Sequence, residues 1–291
     1  MNPENERGQL INVAYRLLGS LADAEDVVQE TYARWFAMSA ADQAAIDVPG
    51  AWLTKVASRI CLDQLRSARV RRERYVGEWI PEPVPEPDGA DPADRITLDE
   101  SVSMAFLVVL DAMTPAERVA FVLHDVFRFA FAEVAEVTGR SAAACRQLAS
   151  SARRRVAAAR PAAAPAAGIA AGKAAEQARV VRDFKLAWEA KNIEALVGLL
   201  DPDATVVADG GGLVTAALHP IEGREQVARF AVALAERVPG LRLVEGAVNG
   251  EPGLITQHDG VTTGVIAFEV DGPRITRIWA VRNPEKLRPW I

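Results

Sequence analysis

The 291-residue chain has few of the side chains that build disulfide frameworks or metal sites. It contains only two cysteines, Cys61 and Cys145, and its three histidines follow no ligand spacing. No apolar run reaches the roughly 18 residues that a membrane span needs, and the N-terminus lacks the blocks of a signal peptide. These absences exclude a disulfide scaffold, and they predict a cytoplasmic protein without a metal or cofactor.

Charge is concentrated in blocks along the chain. The formal net charge is −6, yet six arginines and no acidic residue lie between Arg140 and Arg160. A second arginine cluster ends at Arg74 and is followed at once by the Pro-Glu stretch WIPEPVPEP, residues 79–87. Because local charge decides whether a surface contacts phosphates, these blocks favour nucleic-acid binding in spite of the acidic total.

Hydrophobic periodicity divides the sequence into five parts. Residues 1–76 and 100–160 alternate on a helical period, which predicts two all-α domains. Residues 77–99 and 161–173, rich in proline and poor in apolar stripes, are predicted linkers. Residues 174–291 begin with helices and continue with alternating segments separated by glycine turns. The predicted fold class is therefore multidomain, with a C-terminal α+β domain that contains a curved antiparallel sheet.

An acidic helix is predicted over ADAEDVVQETYARWF, residues 22–36. Trp35 and other apolar positions share one helical face, whereas Asp23, Asp26 and Glu30 follow another at spacings of three and four. Such a stripe is usually only solvated. Without a basic residue from Asp23 to Glu30, it also suits docking on a basic partner.

Two further helices carry basic outer faces. The first lies in AWLTKVASRICLDQLRSARVRRER, where Leu53 and Ile60 mark the core side. The second closes a helix–turn–helix pattern, FAEVAEVTGRSAAACRQLASSARRRV, with Gly139 at the turn and Ser141 as N-cap. Their outward groups suit phosphates and base edges. The candidate DNA-binding residues are Arg59, Arg66, Arg69, Arg71, Arg146, Gln147, Ser150, Arg153 and Arg154.

In order and spacing, these segments resemble a known family. YRLLGSLADAEDVVQETYARWF followed by AWLTKVASRICLDQLRSARVRRE is similar to the second conserved region of extracytoplasmic-function sigma factors, and MTPAERVAFVLHDVFRFAFAEVAEVTGRSAAACRQLASSARRRV is similar to the fourth. The resemblance implies that Asp26, Gln29 and Glu30 dock on the β′ clamp of core RNA polymerase, whose β flap is a second contact. It also implies that the first basic helix holds the minus-10 element of promoter DNA and the second reads the minus-35 element.

Three short motifs resemble signatures of the SigJ-like subgroup, which carries a SnoaL-like C-terminal extension. They are WIPEP at 79–83, DGGG at 209–212 and NPEKL at 283–287; Leu213 replaces a lysine of the subgroup pattern. The resemblance implies that residues 174–291 form a cone of the SnoaL-like, or nuclear-transport-factor-2-like, type. The candidate interdomain regulatory residues are Trp79, Pro81, Glu82, Pro83, Asp209, Gly210, Gly211, Gly212, Asn283, Pro284 and Leu287.

The linker motif allows two interpretations. One is an extended, solvated spacer between the two DNA readers. The other is docking of the Pro-Glu stretch on the C-terminal domain through Trp79, with its acids near the arginines. Asp209 is interpreted as part of an Asp-Gly turn between strands, in preference to a catalytic acid.

Three functional hypotheses follow from these features. The first is a sigma factor regulated in cis by its C-terminal domain. The second is a small-molecule-binding or cyclase-like domain fused to a helix–turn–helix regulator, and the third is a conventional repressor. The acidic helix favours the first over the third. The sequence offers no base–partner pair for cyclase chemistry, so we predict that the chain is not an enzyme; a small ligand in the cone is left open.

Overall fold

The computed structural model forms two compact units. It describes residues 6–72, 75–86, 102–159 and 170–291, without the side chains of 68–72 and 170–173. The first unit comprises Met1–Glu73, Pro87–Val102 and Phe106–Arg160. The second comprises Arg74–Glu86, Ser103–Ala105 and Pro161–Ile291. The start of the predicted linker therefore belongs to the same unit as the C-terminal domain.

The described residues of the first unit are helical. The helices are α1 (Arg7–Leu18), α2 (Leu21–Phe36), α3 (Ala40–Ala44), α4 (Pro49–Arg72), α5 (Met104–Asp111), α6 (Pro115–Phe121), α7 (Phe131–Thr138) and α8 (Ala142–Ala159). A π-helical turn, Val122–Val126, continues α6. Within the described ranges, no helix combines the length and apolarity needed to cross a bilayer.

Local sequence explains where several of these helices begin and end. The hydroxyl of Ser20 accepts a hydrogen bond from the Asp23 backbone at the start of α2. Thr114 and Glu117 form a capping box at α6, with Pro115 as its first residue. Gly139 ends α7 in the left-handed conformation, with φ 67°, which glycine adopts without strain. The turn of the helix–turn–helix pattern is thus set by a few residues.

Arg118 joins three helices in the interior of the first unit. Its side chain is almost fully buried, and its guanidinium donates to the Leu17 carbonyl at 2.9 Å and to the Asp111 carboxylate at 2.8 Å. These bonds tie α6 to the end of α1 and to α5. The helices of residues 7–72 and those of 106–159 therefore belong to one packed unit.

The second unit combines three helices with a six-stranded sheet. The helices are α9 (Ala170–Glu189), α10 (Ile193–Leu199) and α11 (Arg224–Arg237). The strands are β1 (Leu200–Asp209), β2 (Ile221–Glu222), β3 (Arg242–Val248), β4 (Glu251–His258), β5 (Val261–Asp271) and β6 (Arg274–Val281). Helix α9 begins inside the range predicted as the second linker.

The sheet is mixed, which corrects the predicted antiparallel sheet. The strand order is β2-β1-β6-β5-β4-β3, and β1 runs parallel to β6. The other neighbouring pairs are antiparallel. Parallel pairing of β1 and β6 needs a long connection, which α11 and the β3–β5 meander provide. The α+β fold class itself is confirmed.

Aromatic side chains join the helices of the second unit to its sheet. Phe184 on α9 meets Phe268 on β5 edge to face, with ring centroids 5.5 Å apart. The indole of Trp188 donates to the Ala231 carbonyl of α11 at 2.6 Å. The core of this unit thus lies between α9, α11 and one face of the sheet.

Candidate functional site

Residues 75–86 are packed in the second unit; they comprise the last two residues of the predicted first domain and the first ten of the linker predicted at 77–99. Ile80 and Val84 are 1% and 7% exposed. Asn249 binds the backbone of Val84 in both directions, since its N–H donates to the Val84 carbonyl at 2.9 Å and its side-chain oxygen accepts from the Val84 N–H at 3.1 Å. The indole of Trp290 donates to the Pro83 carbonyl at 2.9 Å. The segment is held by specific backbone bonds, so it is not a solvated spacer here.

Asp209, at the end of β1, is the centre of this docking site. Its side chain is fully buried and accepts four hydrogen bonds. The donors are the Tyr75 hydroxyl at 2.6 Å, the Lys286 ammonium at 2.7 Å, the Ile80 N–H at 3.0 Å and the Gly211 N–H at 3.0 Å. Two of these donors, Tyr75 and Ile80, come from residues 75–86. A buried carboxylate is stable only with such pairing.

Lys286 completes the site from the opposite end of the sequence. Its ammonium group also donates to the Ile80 carbonyl and lies 4.1 Å from the centroid of the Trp79 ring. That position over an aromatic face is a cation–π contact. Burial and the hydrogen bond to Asp209 raise the pKa of Tyr75, which keeps its hydroxyl a donor. The Asp209–Lys286 ion pair therefore binds both the N–H and the carbonyl of Ile80.

Two glycines of the DGGG motif allow the chain to come this close. Gly211 has φ 63°, and a Cβ there would lie 2.4 Å from Nδ2 of Asn283. Gly212 has φ 71°, and its Cβ would meet the side chain of Val76 at 3.0 Å. The side-chain amide of Asn283 donates to the Tyr75 hydroxyl at 3.0 Å. Any larger residue would be strained and would push the motifs apart.

Asp209 begins a turn, as its glycine neighbours predict, since its carboxylate accepts from the Gly211 N–H two residues on; it also binds residues outside that turn. Three of its four donors come from residues far away in the sequence, and the carboxylate does not line the cavity of the domain. A general base must be free to accept a proton from a substrate. The arrangement suits holding residues 75–86.

The basic helices of the first unit make internal contacts. Lys55 on α4 forms an ion pair with Glu136 on α7, and Arg59 donates to the Glu136 carbonyl at 2.8 Å. The charge and hydrogen bond of Lys55 lower the pKa of Glu136. On α8, Arg153 binds the Asp125 carboxylate with two bonds, at 2.6 and 3.2 Å. Cations suited to phosphates are thus partly engaged by acids and carbonyls of the same unit.

Comparison with known proteins identifies the family. Residues 4–71 match Sigma-70 region 2, and residues 103–156 match Sigma-70, region 4. The chain is 42% identical to the ECF RNA polymerase sigma factor SigJ of Mycobacterium tuberculosis, over 96% of this chain and 90% of that protein. The chain belongs to the ECF RNA polymerase sigma factors. It is therefore a transcription initiation factor, which confirms the first functional hypothesis at the level of the family.

One further relative and one solved structure agree with this sigma factor assignment. The probable ECF sigma factor SigI of M. tuberculosis is 34% identical, over 97% of this chain and 92% of its own. The crystal structure of M. tuberculosis SigJ superposes with a TM-score of 0.76 at 37% identity and covers 98% of this sigma factor and 97% of that chain. The similarity extends through the SnoaL-like C-terminal domain.

The predicted polymerase-binding residues of the sigma factor lie on the outer face of α2. Asp26, Gln29 and Glu30 are exposed, and Glu30 pairs with Arg34 at 2.5 Å. Trp35 on the same helix is buried, as its periodicity predicts. The face is accessible in the first unit, and its role in polymerase binding stays a prediction.

The predicted DNA-binding residues of the sigma factor are only partly described. The side chains of Arg69 and Arg71 lie outside the described residues. Arg66 pairs with Asp63 at 3.0 Å, and Arg146 lies over the Phe131 ring at 5.8 Å. Arg59, Gln147, Arg153 and Arg154 are exposed, and Ser150 is half-buried. DNA contact by these groups stays a prediction.

The structure brings together most of the predicted regulatory residues. Trp79, Asp209, Gly211 and Asn283 belong to the docking site described above. Four more are buried in the same unit, namely Pro81, Glu82, Pro83 and Gly210. Gly212 and Pro284 are exposed. Leu287 is 3% exposed. Sequence reasoning missed Tyr75, Asn249, Lys286 and Trp290.

Proposed function

We propose that the SnoaL-like domain regulates this sigma factor in cis by holding residues 75–86, which include the start of the linker. The observation that carries the proposal is the capture of Tyr75 and the Ile80 backbone by Asp209 and Lys286. A sigma factor has to set the reach between its two DNA-reading regions on the polymerase. While residues 75–86 are docked, they do not add to the length of chain that can extend between the two regions. Release of the segment would restore it.

The proposed partners follow from the family. Asp26, Gln29 and Glu30 of α2 contact the basic β′ clamp of core RNA polymerase, and region 4 contacts the β flap. Helix α4 holds the minus-10 element, where melting exposes single-stranded bases. Helix α8 reads the minus-35 element, with phosphate contacts dominating because Ala142 begins a run of three alanines. We further propose that the polypeptide breaks and makes no bond itself and that its cone holds a small ligand.

Run-off transcription with core polymerase of the source organism tests this function. We expect the full chain to direct promoter-specific transcripts from fragments of its own genome. Removal of residues 174–291 and trimming from Asn283 onward should change that activity differently, because only the first removes Asp209. Equal activity of all three forms would argue against regulation in cis. Transcription from no promoter in any form would overturn the proposed initiation activity.

Glu136 provides a prediction for the DNA-binding surface. It engages Lys55 through its carboxylate, so Glu136→Gln should free one cation for phosphates while the Arg59 bond to the backbone carbonyl remains. We expect the affinity for a labelled duplex of mixed sequence to rise about two- to fivefold, with a steeper salt dependence. Fluorescence anisotropy of the full chain at several salt concentrations measures both.

Glu236→Gln is the matched control for this measurement. Glu236 is exposed on α11 in the other unit, and its substitution changes the net charge equally. We expect it to leave the affinity within about 1.5-fold, because Glu236 is an exposed charge that lies on neither basic helix, and single exposed charges contribute little. Equal gains in both variants would contradict a specific role of Glu136.

A further inference from the structure

The cone of the second unit encloses an apolar cavity that the linker site does not use. Its volume is about 290 Å³. Aromatic side chains from two helices form one wall, and strands β4, β5 and β6 form the other. The aromatic groups are Phe184, Trp188 and Phe230. Apolar cavities of this kind are where small molecules bind in most folds.

The volume limits the size of an occupant. An apolar cavity of about 150 Å³ accepts a benzene molecule. A cavity roughly twice as large therefore accepts about twelve non-hydrogen atoms. Lined mainly by aromatic and aliphatic groups, it favours a hydrocarbon chain or ring over a sugar or nucleotide.

Arg282 supplies one cation at the wall of this cavity. It follows β6 directly, is half-buried and donates to the Thr215 carbonyl. This burial lowers the pKa of its guanidinium. Among the residues that the structure describes, no carboxylate lies within ion-pair distance of Arg282. A guanidinium has five N–H donors, and the side-chain bond to the Thr215 carbonyl takes one of them.

Gly264 keeps the arginine against the floor of the cavity. A Cβ at this position on β5 would lie 3.3 Å from Cγ of Arg282 and 2.8 Å from Oγ1 of Thr256. The arginine stem therefore rests where any other residue would place its side chain. Thr256 and Thr263, whose hydroxyls are 3.2 Å apart, add neutral polar groups to the same wall.

We propose that the cone binds a hydrophobic carboxylic acid, with its apolar part among Phe184, Trp188 and Phe230 and its carboxylate at Arg282. A planar guanidinium binds a carboxylate with two parallel hydrogen bonds. Apolar burial provides most of the affinity, and the ion pair selects the acid over a neutral analogue. Neither Asp209 nor Lys286 takes part.

The position of Arg282 connects this cavity to the linker site. The Arg282 N–H donates to the Asp209 carbonyl at 2.7 Å, and the next residue, Asn283, binds Tyr75. A ligand that moves the guanidinium toward the cavity would therefore act on the residue directly before Asn283, which contacts the docked segment through Tyr75. This regulatory meaning rests on the proposed function, whereas binding of the acid does not.

Isothermal titration calorimetry of the full chain tests the binding. The probes are decanoate and decanol, which share one alkyl chain and differ in charge. We expect one decanoate per chain, with a dissociation constant at least tenfold lower than that of decanol, which corresponds to about 1.4 kcal/mol. Equal affinities for the two probes, or no binding of decanoate at millimolar concentration, would overturn the proposal whatever the transcription assays show.

Three variants locate the site. Arg282→Gln should bring the two affinities within about twofold, and Arg282→Lys should keep part of the preference, which separates loss of charge from loss of folding. Ala280→Phe fills the cavity wall on β6 and should abolish binding of both probes. Arg274→Gln, at the exposed start of β6, is the control and should bind as the parent does. Unchanged binding in Ala280→Phe would contradict this location.

Discussion

Asp209→Ala is expected to lower the free energy of unfolding of the second unit by about 3–5 kcal/mol. The substitution leaves the Lys286 ammonium buried without its anion and removes the acceptor of the Tyr75 hydroxyl and the Ile80 N–H. Stranding a buried charge and two buried donors costs far more than losing an exposed ion pair. We also expect the linker residues 75–86 to lose their protection, because the donors that they contribute have no partner.

Hydrogen exchange resolved by peptide, in increasing urea, measures this effect in the intact chain. A whole-chain signal would mix the two units, since multidomain proteins do not unfold as a two-state system. Asp203→Ala is the control because it removes the same charge from an exposed position of the same strand. A shift for Asp209→Ala no larger than that of Asp203→Ala would contradict the role of the buried pair.

A double variant distinguishes the ion pair from simple packing. Lys286→Met in the Asp209→Ala background removes the stranded charge, so part of the lost stability should return. The recovery should be incomplete, because Tyr75 and Ile80 still lack their acceptor. If the double variant lost as much stability as Asp209→Ala and Lys286→Met lose together, Asp209 and Lys286 would act independently, contrary to their 2.7 Å contact.

Charge reversal on α2 is expected to weaken binding of core polymerase at least tenfold. Asp26 and Glu30 are exposed on one face of the helix, and lysines there would oppose a basic partner surface. Like charges brought together at an interface cost several kcal/mol. The stability of the first unit should change little, because both side chains are outside its core.

Anisotropy of a labelled full-length chain with core polymerase measures this loss. Glu25→Lys is the control, since it lies on the same helix but about 100° around its axis from Asp26. We expect the double reversal Asp26→Lys and Glu30→Lys to lose affinity and Glu25→Lys to lose much less. Equal losses in both would indicate a general charge effect and would contradict a contact through this face.

Local sequence patterns predicted the helices of the first unit and their exposed faces. The period of α2 placed Trp35 inside and Asp26 outside, and Gly139 marked the turn before α8. These features depend on residues within one or two turns of each other, so a single sequence reveals them. On α8, Cys145, Ala149 and Ala152 are buried, whereas the candidate DNA-binding residues Arg146 and Gln147 are exposed.

Long-range pairings were beyond the sequence pattern. Alternation of apolar and polar residues gives strands but not their direction, so the parallel pairing of β1 with β6 was missed. The sequence pattern predicted a turn at Asp209 because glycines follow it, and it gave no sign of the distant partners. Its partners Tyr75 and Lys286 lie 134 and 77 residues away in sequence. Only the resemblance of the three motifs to a subgroup signature connected these segments.

The linker shows where composition misleads. Proline and glutamate at 79–87 are typical of a solvated spacer, and they conceal Ile80 and Val84, which are buried four residues apart. Trp79 was the correct sign of docking, since its ring packs on Lys286. Residues 87–99 of the predicted linker lie outside the described residues, and the proximity of the linker acids to the arginines stays a prediction.

The central claim is that docking of residues 75–86 controls transcription. Run-off transcription with the double variant Ile80→Asp and Val84→Asp tests it, with Glu86→Ala at an exposed position of the same segment as control. Limited proteolysis of the same samples reports whether the segment is released. We predict that the double variant becomes protease-sensitive in the linker and that its promoter-specific transcription changes at least fivefold, with the control unchanged. A released linker with unaltered transcription would contradict the claim.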